Sequence, residues 1–305
     1  VPRDADTYDA AVAEVCRLQG LPLDAPRVKY AAGSSIVFAV GEGHVVKLFA
    51  PLHAEAADTE ARVLAHVQGR LGVATPALQA SGTLEDWRYV VMTQLPGVSL
   101  KEAWPRIPPP RRLQLLEEVG AALRRLHALP PLPLPIPGGS WERFLAQQQA
   151  GCVARQRERG VEEAWLAQVP AFLERALARL EPQPSPVLLH TEVMRDHLLV
   201  EERAGGWQLS GLIDFEPAMC GHPDYELASV GVFVSGGDPA LLRAVCTGYG
   251  REGGALTPEV RQRALAFTLL HRYSNLRWYL DVVPLAPEVR TLEALADAWW
   301  GTEAQ

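Results

Sequence analysis

Residues Leu188 to Ala228 read LLHTEVMRDHLLVEERAGGWQLSGLIDFEPAMCGHPDYELA. Two short apolar runs, Val187-Leu188-Leu189 and Leu198-Leu199-Val200, flank a polar loop, and a third, Trp207 to Ile213, leads into Asp214-Phe215. Short aliphatic runs bounded by polar turns read as strands. With strands on either side, Glu192, Asp196, His197 and Asp214 stand at adjacent strand mouths, so three carboxylates and an imidazole converge. Water screens such a cluster incompletely, and the arrangement is unfavourable unless a cation shares it. A metal ion or a cationic substrate is the occupant that this chemistry requires.

Upstream, the first hundred residues alternate like a sheet. Val28-Lys29-Tyr30, Ile36 to Val40 and Val45 to Phe49 are β-rich, and Gly41-Glu42-Gly43 between the last two predicts a hairpin. A helix is expected over Ala54 to Leu71, with Val63, Leu64 and Val67 on one face, then a strand over Trp87 to Met92 and a turn at Leu95-Pro96-Gly97. Beyond Leu100 the pattern turns helical. Arg111 to Leu129 places Leu113, Leu116, Val119, Leu123 and Leu126 on one apolar stripe. Pro130 to Gly139 (PPLPLPIPGG) is too rich in proline for helix or sheet and reads as a stiff extended connection. Further helices are expected at Trp141 to Arg159, Glu162 to Leu180, Pro239 to Tyr249, Pro258 to Tyr279 and Pro287 to Trp300. A sheet-rich third followed by a helical remainder is an α+β pattern in two lobes, with a cleft between them for a small molecule.

Composition narrows the partners. The 305 residues, with 48% hydrophobic and 21% charged side chains, suit two globular units and exclude wholesale disorder. The 29 basic and 36 acidic side chains give a net charge of −7, without the basic excess of a duplex nucleic-acid binder. No apolar run reaches the roughly 18–20 residues that span a membrane, and Val1-Pro2-Arg3-Asp4 lacks a signal-peptide profile. Cys16, Cys152, Cys220 and Cys246 form no metal or disulfide pattern, so reduced, buried thiols in a cytoplasmic protein are expected.

The segment resembles the catalytic stretch of the aminoglycoside phosphotransferase and choline kinase family. The family's His-Gly-Asp, its Asn five residues on, its Ile-Asp-Phe and its Gly-Asp-Pro-x-x-Asp-Leu-Ala fall on His190-Thr191-Glu192, His197, Ile213-Asp214-Phe215 and Gly221 to Ala228. Glu216 to Ala228 is also similar to the hygromycin B kinases. Upstream, Ala32-Gly33-Ser34-Ser35 matches the loop that covers nucleotide phosphates, Lys47 the strand lysine, Glu60 its helix partner, and Thr93, Gln94 and Leu95 the purine-binding hinge. The resemblance implies a protein-kinase-like two-lobed α+β fold: a small antiparallel-sheet lobe over residues 1–96 and a larger helical lobe over 97–305.

Phosphoryl transfer gives these positions their implied roles. Glu192 would be the base or hydroxyl-orienting group, Asp214 the magnesium ligand and His197 the second metal position, with Asp196 as substitute. His190 would anchor the loop. Gly33, Ser34, Ser35, Lys47 and Glu60 would hold the phosphates of ATP or GTP with Mg2+. Glu192 and His197 replace the family's Asp and Asn, and His222 and Glu226 replace two further aspartates. Asp214, Lys47 and Glu60 remain, and each replacement keeps a metal-capable or hydrogen-bonding group, so an active site is expected over a decayed one. The acceptor would be a small hydroxylated, cationic molecule, an aminoglycoside-type antibiotic first. Other hydroxylated metabolites, and a nucleotide-binding module without transfer, are the alternatives. Glu216, Asp224, Asp281, Glu288, Glu293 and Asp297 are candidates to grip it, and Trp278, Tyr279, Trp299 and Trp300 are candidates to stack on it, although core packing accounts for the aromatics better. A protein kinase is disfavoured, because His-Arg-Asp, Asp-Phe-Gly and Ala-Pro-Glu are missing.

Overall fold

A computed structural model of the chain describes residues 5–30, 35–178 and 185–302. The chain begins with α1 (Ala5–Gln19), β1 (Arg27–Lys29), β2 (Ile36–Val40), β3 (His44–Phe49), α2 (Ala54–Val67), β4 (Leu78–Leu84) and β5 (Trp87–Thr93). The strands form one antiparallel sheet in the order β1-β2-β3-β5-β4. Side chains alternate between faces along a strand, and that period sorts the lobe. Val46 and Leu48 of β3 and Tyr89 and Val91 of β5 turn to α1, where Val12, Val15 and Cys16 are buried. Phe49, Val90 and Met92 turn to the other face, under Val63, Leu64 and Val67 of α2. Lys47 shares the parity of Phe49 and therefore faces α2. Neither α1 nor β4 was expected from the sequence pattern.

The second lobe follows β6 (Val98–Ser99) with α3 (Leu100–Ala103), α4 (Pro109–Ala128), α5 (Trp141–Glu158), α6 (Glu163–Leu166), α7 (Val169–Leu177), β7 (Val187–Leu189), β8 (Leu198–Arg203), β9 (Gly206–Leu212) and β10 (Met219–Gly221). It ends with α8 (Leu227–Ser229), α9 (Pro239–Tyr249), α10 (Pro258–Leu270), α11 (Leu276–Val282) and α12 (Leu292–Trp300). Small antiparallel sheets, β10-β7 and β6-β8-β9, frame the loop between β7 and β8. The helices α4 and α9 cross backbone to backbone. A Cβ on Gly120 would overlap the Val245 carbonyl, and one on Gly248 would overlap that of Glu117. Trp299 and Trp300 are 1% and 0% exposed, so both belong to the core.

Four expected helices are shorter or broken, the first of them, expected to Leu71, ending at Val67. Glu162 to Leu180 divides into α6 and α7, with Pro170 in the first turn of the second, where a missing N–H is harmless; residues 179–180 lie outside the described residues. Pro258 to Tyr279 divides at 271–275, and the Asn275 side chain caps α11 by accepting from Trp278 N at 3.2 Å. The last helix starts at Leu292, capped by Thr291, whose hydroxyl accepts from Ala294 N at 3.1 Å.

Candidate functional site

The ladder from β2 through β3 to β5 fixes Lys47 opposite Val37 and Val90, and the face it shares with α2 brings it to Glu60. Lys47 Nζ donates to Glu60 Oε1 and Oε2 at 2.9 Å each and to Asp214 Oδ1 at 2.6 Å, which uses all three protons. Glu216 Oε2 stands 3.7 Å away. Burial would lower the Lys47 ammonium, but Glu60, Asp214 and Glu216 outweigh it and hold the group charged. Burial pushes the Glu60 carboxyl up, and the neighbouring ammonium opposes that shift. Burial also works against charge on Asp214, yet Lys47 and His197 hold its carboxyl down at about 2.

Asp214 lies two residues beyond the end of β9. Ile213 N donates to the His197 carbonyl at 3.0 Å, one bond beyond the Leu198–Leu212 pairing, and this sets Asp214 beside His197. Asp214 (φ +72°) and Thr191 (φ +73°) are both in the left-handed region, uncommon for such residues and a form of strain that collects at functional sites. The Thr191 turn is held by Glu226, a 2% exposed carboxylate. Its Oε2 accepts from His190 N at 2.9 Å and its Oε1 from Thr191 N at 2.8 Å, while His127 Nε2 lies 3.3 Å from Oε2. His190 is fully buried, and burial lowers its imidazole. Its Nε2 donates to the Ile213 carbonyl at 2.9 Å, and its Nδ1 accepts from Glu192 N at 3.3 Å. The ring therefore ties the two halves of the site together in one neutral tautomer.

The donor set fits a divalent cation. Glu192, His197 and Asp214 each offer a ligand atom within 4.8 Å of the others, and so do Glu60, Asp214 and Glu216. The His197 ring shows the fit most clearly. Its Nδ1 lies 2.7 Å from the Glu192 carbonyl and must donate to it, which leaves Nε2 facing Asp214 Oδ2 at 3.2 Å. In a neutral ring, two acceptors then confront each other, and a proton or a metal ion between them removes the conflict. Burial pushes the Glu192 carboxyl up, against the pull of His197. A carboxylate so placed is a better proton acceptor than a solvated one.

The remaining candidates separate. Asp196 points away from Asp214 and pairs with Lys101 Nζ at 3.0 Å. Thr93 N and Gln94 N donate to the carbonyls of Ala77 and Gly43, whereas Leu95 N–H has no partner among the described residues. Gly33 and Ser34 lie outside the described residues, and Ser35 immediately precedes β2. Of the carboxylates suggested for the acceptor, Glu216 belongs to the Lys47 cluster instead. Asp224 is 4% exposed and bound by Arg251 and Arg263. Asp281 pairs with Arg277, Glu293 with Arg175 and Asp297 with Arg261, while Glu288 is exposed between α11 and α12. His222 caps the turn before α8, its Nδ1 accepting from Asp224 N at 3.1 Å. The anchoring role of Glu226 and the nearness of Arg272 to Glu192 were not evident in the sequence; the positional match of Glu226 to a family aspartate was the available signal. Among the described residues, no helix is long and apolar enough to cross a membrane, and the four cysteines are free and buried.

A family model described as the phosphotransferase enzyme family matches residues 28–263. No curated protein sequence matches the chain. Among solved structures, the chain is similar to the GDP complex of a mutant aminoglycoside 2'-phosphotransferase-IIIa, at 15% identity and TM-score 0.69, covering 90% of this chain and 94% of that one. It is also similar to a thermostable mutant of aminoglycoside phosphotransferase APH(4)-Ia in ternary complex with AMP-PNP and hygromycin B. That match has 20% identity and TM-score 0.63, covering 96% and 99% of the respective chains. These likenesses establish the fold: two lobes of the kinase type, one built on an antiparallel sheet and one mainly helical.

Proposed function

The chain belongs to the phosphotransferase enzyme family, and we propose that it transfers the γ-phosphoryl group of ATP or GTP to a hydroxyl of a small molecule, with a divalent cation, Mg2+ or Mn2+. One observation carries this reading. Lys47, saturated by Glu60 and Asp214, stands across from His197 and Glu192, so a phosphate-neutralising cation, a metal-binding pair and a base share one cleft.

Glu60 and Asp214 hold Lys47 in place and charged, so that its ammonium offsets the charge of the nucleotide phosphates. Asp214, kept ionised, and His197 Nε2 would hold the cation. When bound, the cation neutralises charge on the phosphate oxygens. Glu192 orients the acceptor hydroxyl and takes its proton as that oxygen bonds to the γ-phosphorus. The bond from the γ-phosphorus to the bridging oxygen breaks, the nucleoside diphosphate leaves, and Glu192 returns the proton to water. Leu95 N–H is the hinge donor available to the purine, and Ser35 stands at the position that covers the phosphates.

The test is a nucleotide-consumption screen over hydroxylated antibiotics and metabolites, followed by location of the new phosphate. Kanamycin, hygromycin B and streptomycin, bound by structural neighbours, belong in the panel. A phosphorylated product formed only with metal present is the expected result. If nucleotide binds equally well without metal and no acceptor gains phosphate, the chain is a nucleotide-binding module and the proposal fails.

A further inference from the structure

The break between α10 and α11 lies against the catalytic loop. His271 Nε2 is 3.2 Å from the Thr191 carbonyl, and Arg272 Nη2 donates at 2.8 Å to the Pro217 carbonyl, which also accepts from the Thr191 hydroxyl. On the other side of the loop, Val193 N donates to Ser229 Oγ and Arg195 Nε to the Val234 carbonyl. These two flanking segments meet in an aromatic cluster. Phe233 lies 5.5 Å from Trp278 and 5.6 Å from Tyr279, ring centre to ring centre, and the Tyr279 hydroxyl donates to the Tyr273 carbonyl. Trp278 and Tyr273 remain 46% and 55% exposed although each is a large ring beside the site. Tyr273 and Tyr279 of this wall lie close enough to Glu192 for its charge to act on both.

Arg272 brings a positive charge to this wall. Arg272 acts electrostatically on both Glu192 and Tyr273, and its buried Nε has no hydrogen-bond partner among the described residues. An unpaired buried donor is unfavourable until a ligand oxygen meets it. Of the carboxylates that would grip an ammonium group, Asp224, Asp281, Glu293 and Asp297 are paired with arginines, and Glu288 is exposed between α11 and α12. A polycation would therefore meet a guanidinium that no carboxylate salt-bridges among the described residues, and few uncommitted carboxylates, whereas an apolar face would find Trp278 and a hydroxyl oxygen would find Arg272.

Resting on the phosphotransferase reading, we propose that the acceptor is an uncharged hydroxylated molecule with an apolar face, a neutral glycoside, which stacks on Trp278 and is oriented by Arg272. Charge and shape are separated by comparing kanamycin with its fully N-acetylated counterpart, beside neutral aryl glycosides, in the nucleotide-consumption assay on the whole chain. The N-acetylated compound or an aryl glycoside is expected to be used at least 10-fold better than kanamycin, by kcat/KM. Arg272→Glu should reverse that ranking, and Trp278→Ala should raise KM for the neutral acceptor about 10-fold with kcat little changed. Metal-dependent nucleotide binding, measured by calorimetry on each variant, reports the fold and the nucleotide site separately. If that binding is intact but kanamycin is preferred, or no neutral compound is used, the acceptor proposal is overturned and the phosphotransferase reading stands. Loss of metal-dependent binding in the unaltered protein overturns both.

Discussion

Replacing Glu226 by alanine removes one buried carboxylate that organises the loop between β7 and β8. Its oxygens accept from the backbone amides of His190 and Thr191 at 2.9 and 2.8 Å. Alanine offers neither amide a partner, and a buried unsatisfied donor costs about 1–3 kcal/mol, so a loss of about 2–6 kcal/mol is expected. For a chain of this size that corresponds to a fall in Tm of roughly 4–12 °C, at about 2 °C per kcal/mol. Glu226→Gln keeps one acceptor oxygen and turns an N–H towards the other amide, so it should fall between wild type and alanine. Thermal unfolding measures the first effect, and hydrogen exchange at residues 190–192 measures the second, faster exchange in a loosened loop. Turnover should fall as well, by on the order of 100-fold if Glu192 shifts by about 1 Å. Acidity supplies an internal check. Burial alone would raise the Glu226 carboxyl, but the hydrogen bonds from His127 and the loop outweigh it and hold it below its ordinary value near 4.5. A carboxyl that is lower in the folded than in the unfolded chain stabilises fully above the unfolded value, and that contribution is lost as pH falls through the folded one. The Tm gap between wild type and Glu226→Ala should therefore narrow below about pH 4.5. An alanine variant with unchanged Tm and unchanged exchange at 190–192 would refute this account of the loop.

His197→Asn replaces an imidazole nitrogen with a hard amide oxygen at the position facing Asp214 Oδ2. Metal-dependent nucleotide binding should shift from Mn2+ towards Mg2+ by on the order of 10-fold, and an unchanged ratio would place His197 outside the metal site. Gly120→Ala should lower Tm by the equivalent of about 1–3 kcal/mol, because a Cβ there meets the Val245 carbonyl and lies 2.7 Å from Tyr249 N. An ordinary helix glycine would gain about 1 kcal/mol from the same change, so a raised Tm would refute the close crossing of α4 and α9.

Strand spacing made the convergence of Glu192, His197 and Asp214 legible, whereas Lys47 and Glu60 were read from the family resemblance. Lys47 falls on the α2-facing side of β3, and one ladder bond beyond Leu198–Leu212 carries Asp214 to His197. What pattern reading missed depends on tertiary contacts. The helix α1 was missed, although its Val12, Val15 and Cys16 cover a whole face of the sheet. The strand β4, Leu78-Gln79-Ala80-Ser81-Gly82-Thr83-Leu84, has weak strand residues and owes its place to pairing with β5. The stripe of Leu269, Leu270 and Leu276 hid the break at 271–275, because those leucines are buried on both sides of it. The break is made by His271 and Arg272 reaching Thr191 and Pro217, contacts that no helical period encodes. Asp224 and Asp281 read as free acids along the chain, and only the fold supplies the arginines that hold them. Asp196 and His197 are neighbours in sequence, and the register of β8 settles which one turns to Asp214.

The most direct test of the site is calorimetric binding of a non-hydrolysable ATP or GTP analogue, with Mg2+ or Mn2+ and then with a chelator, to the wild-type chain and to Asp214→Ala. Nucleotide affinity that rises at least about 10-fold with metal in the wild type, and loses that rise in the variant, is the expected result. Equal affinity with and without metal in the wild type would contradict the assignment of Asp214 and His197 to a phosphoryl-transfer centre.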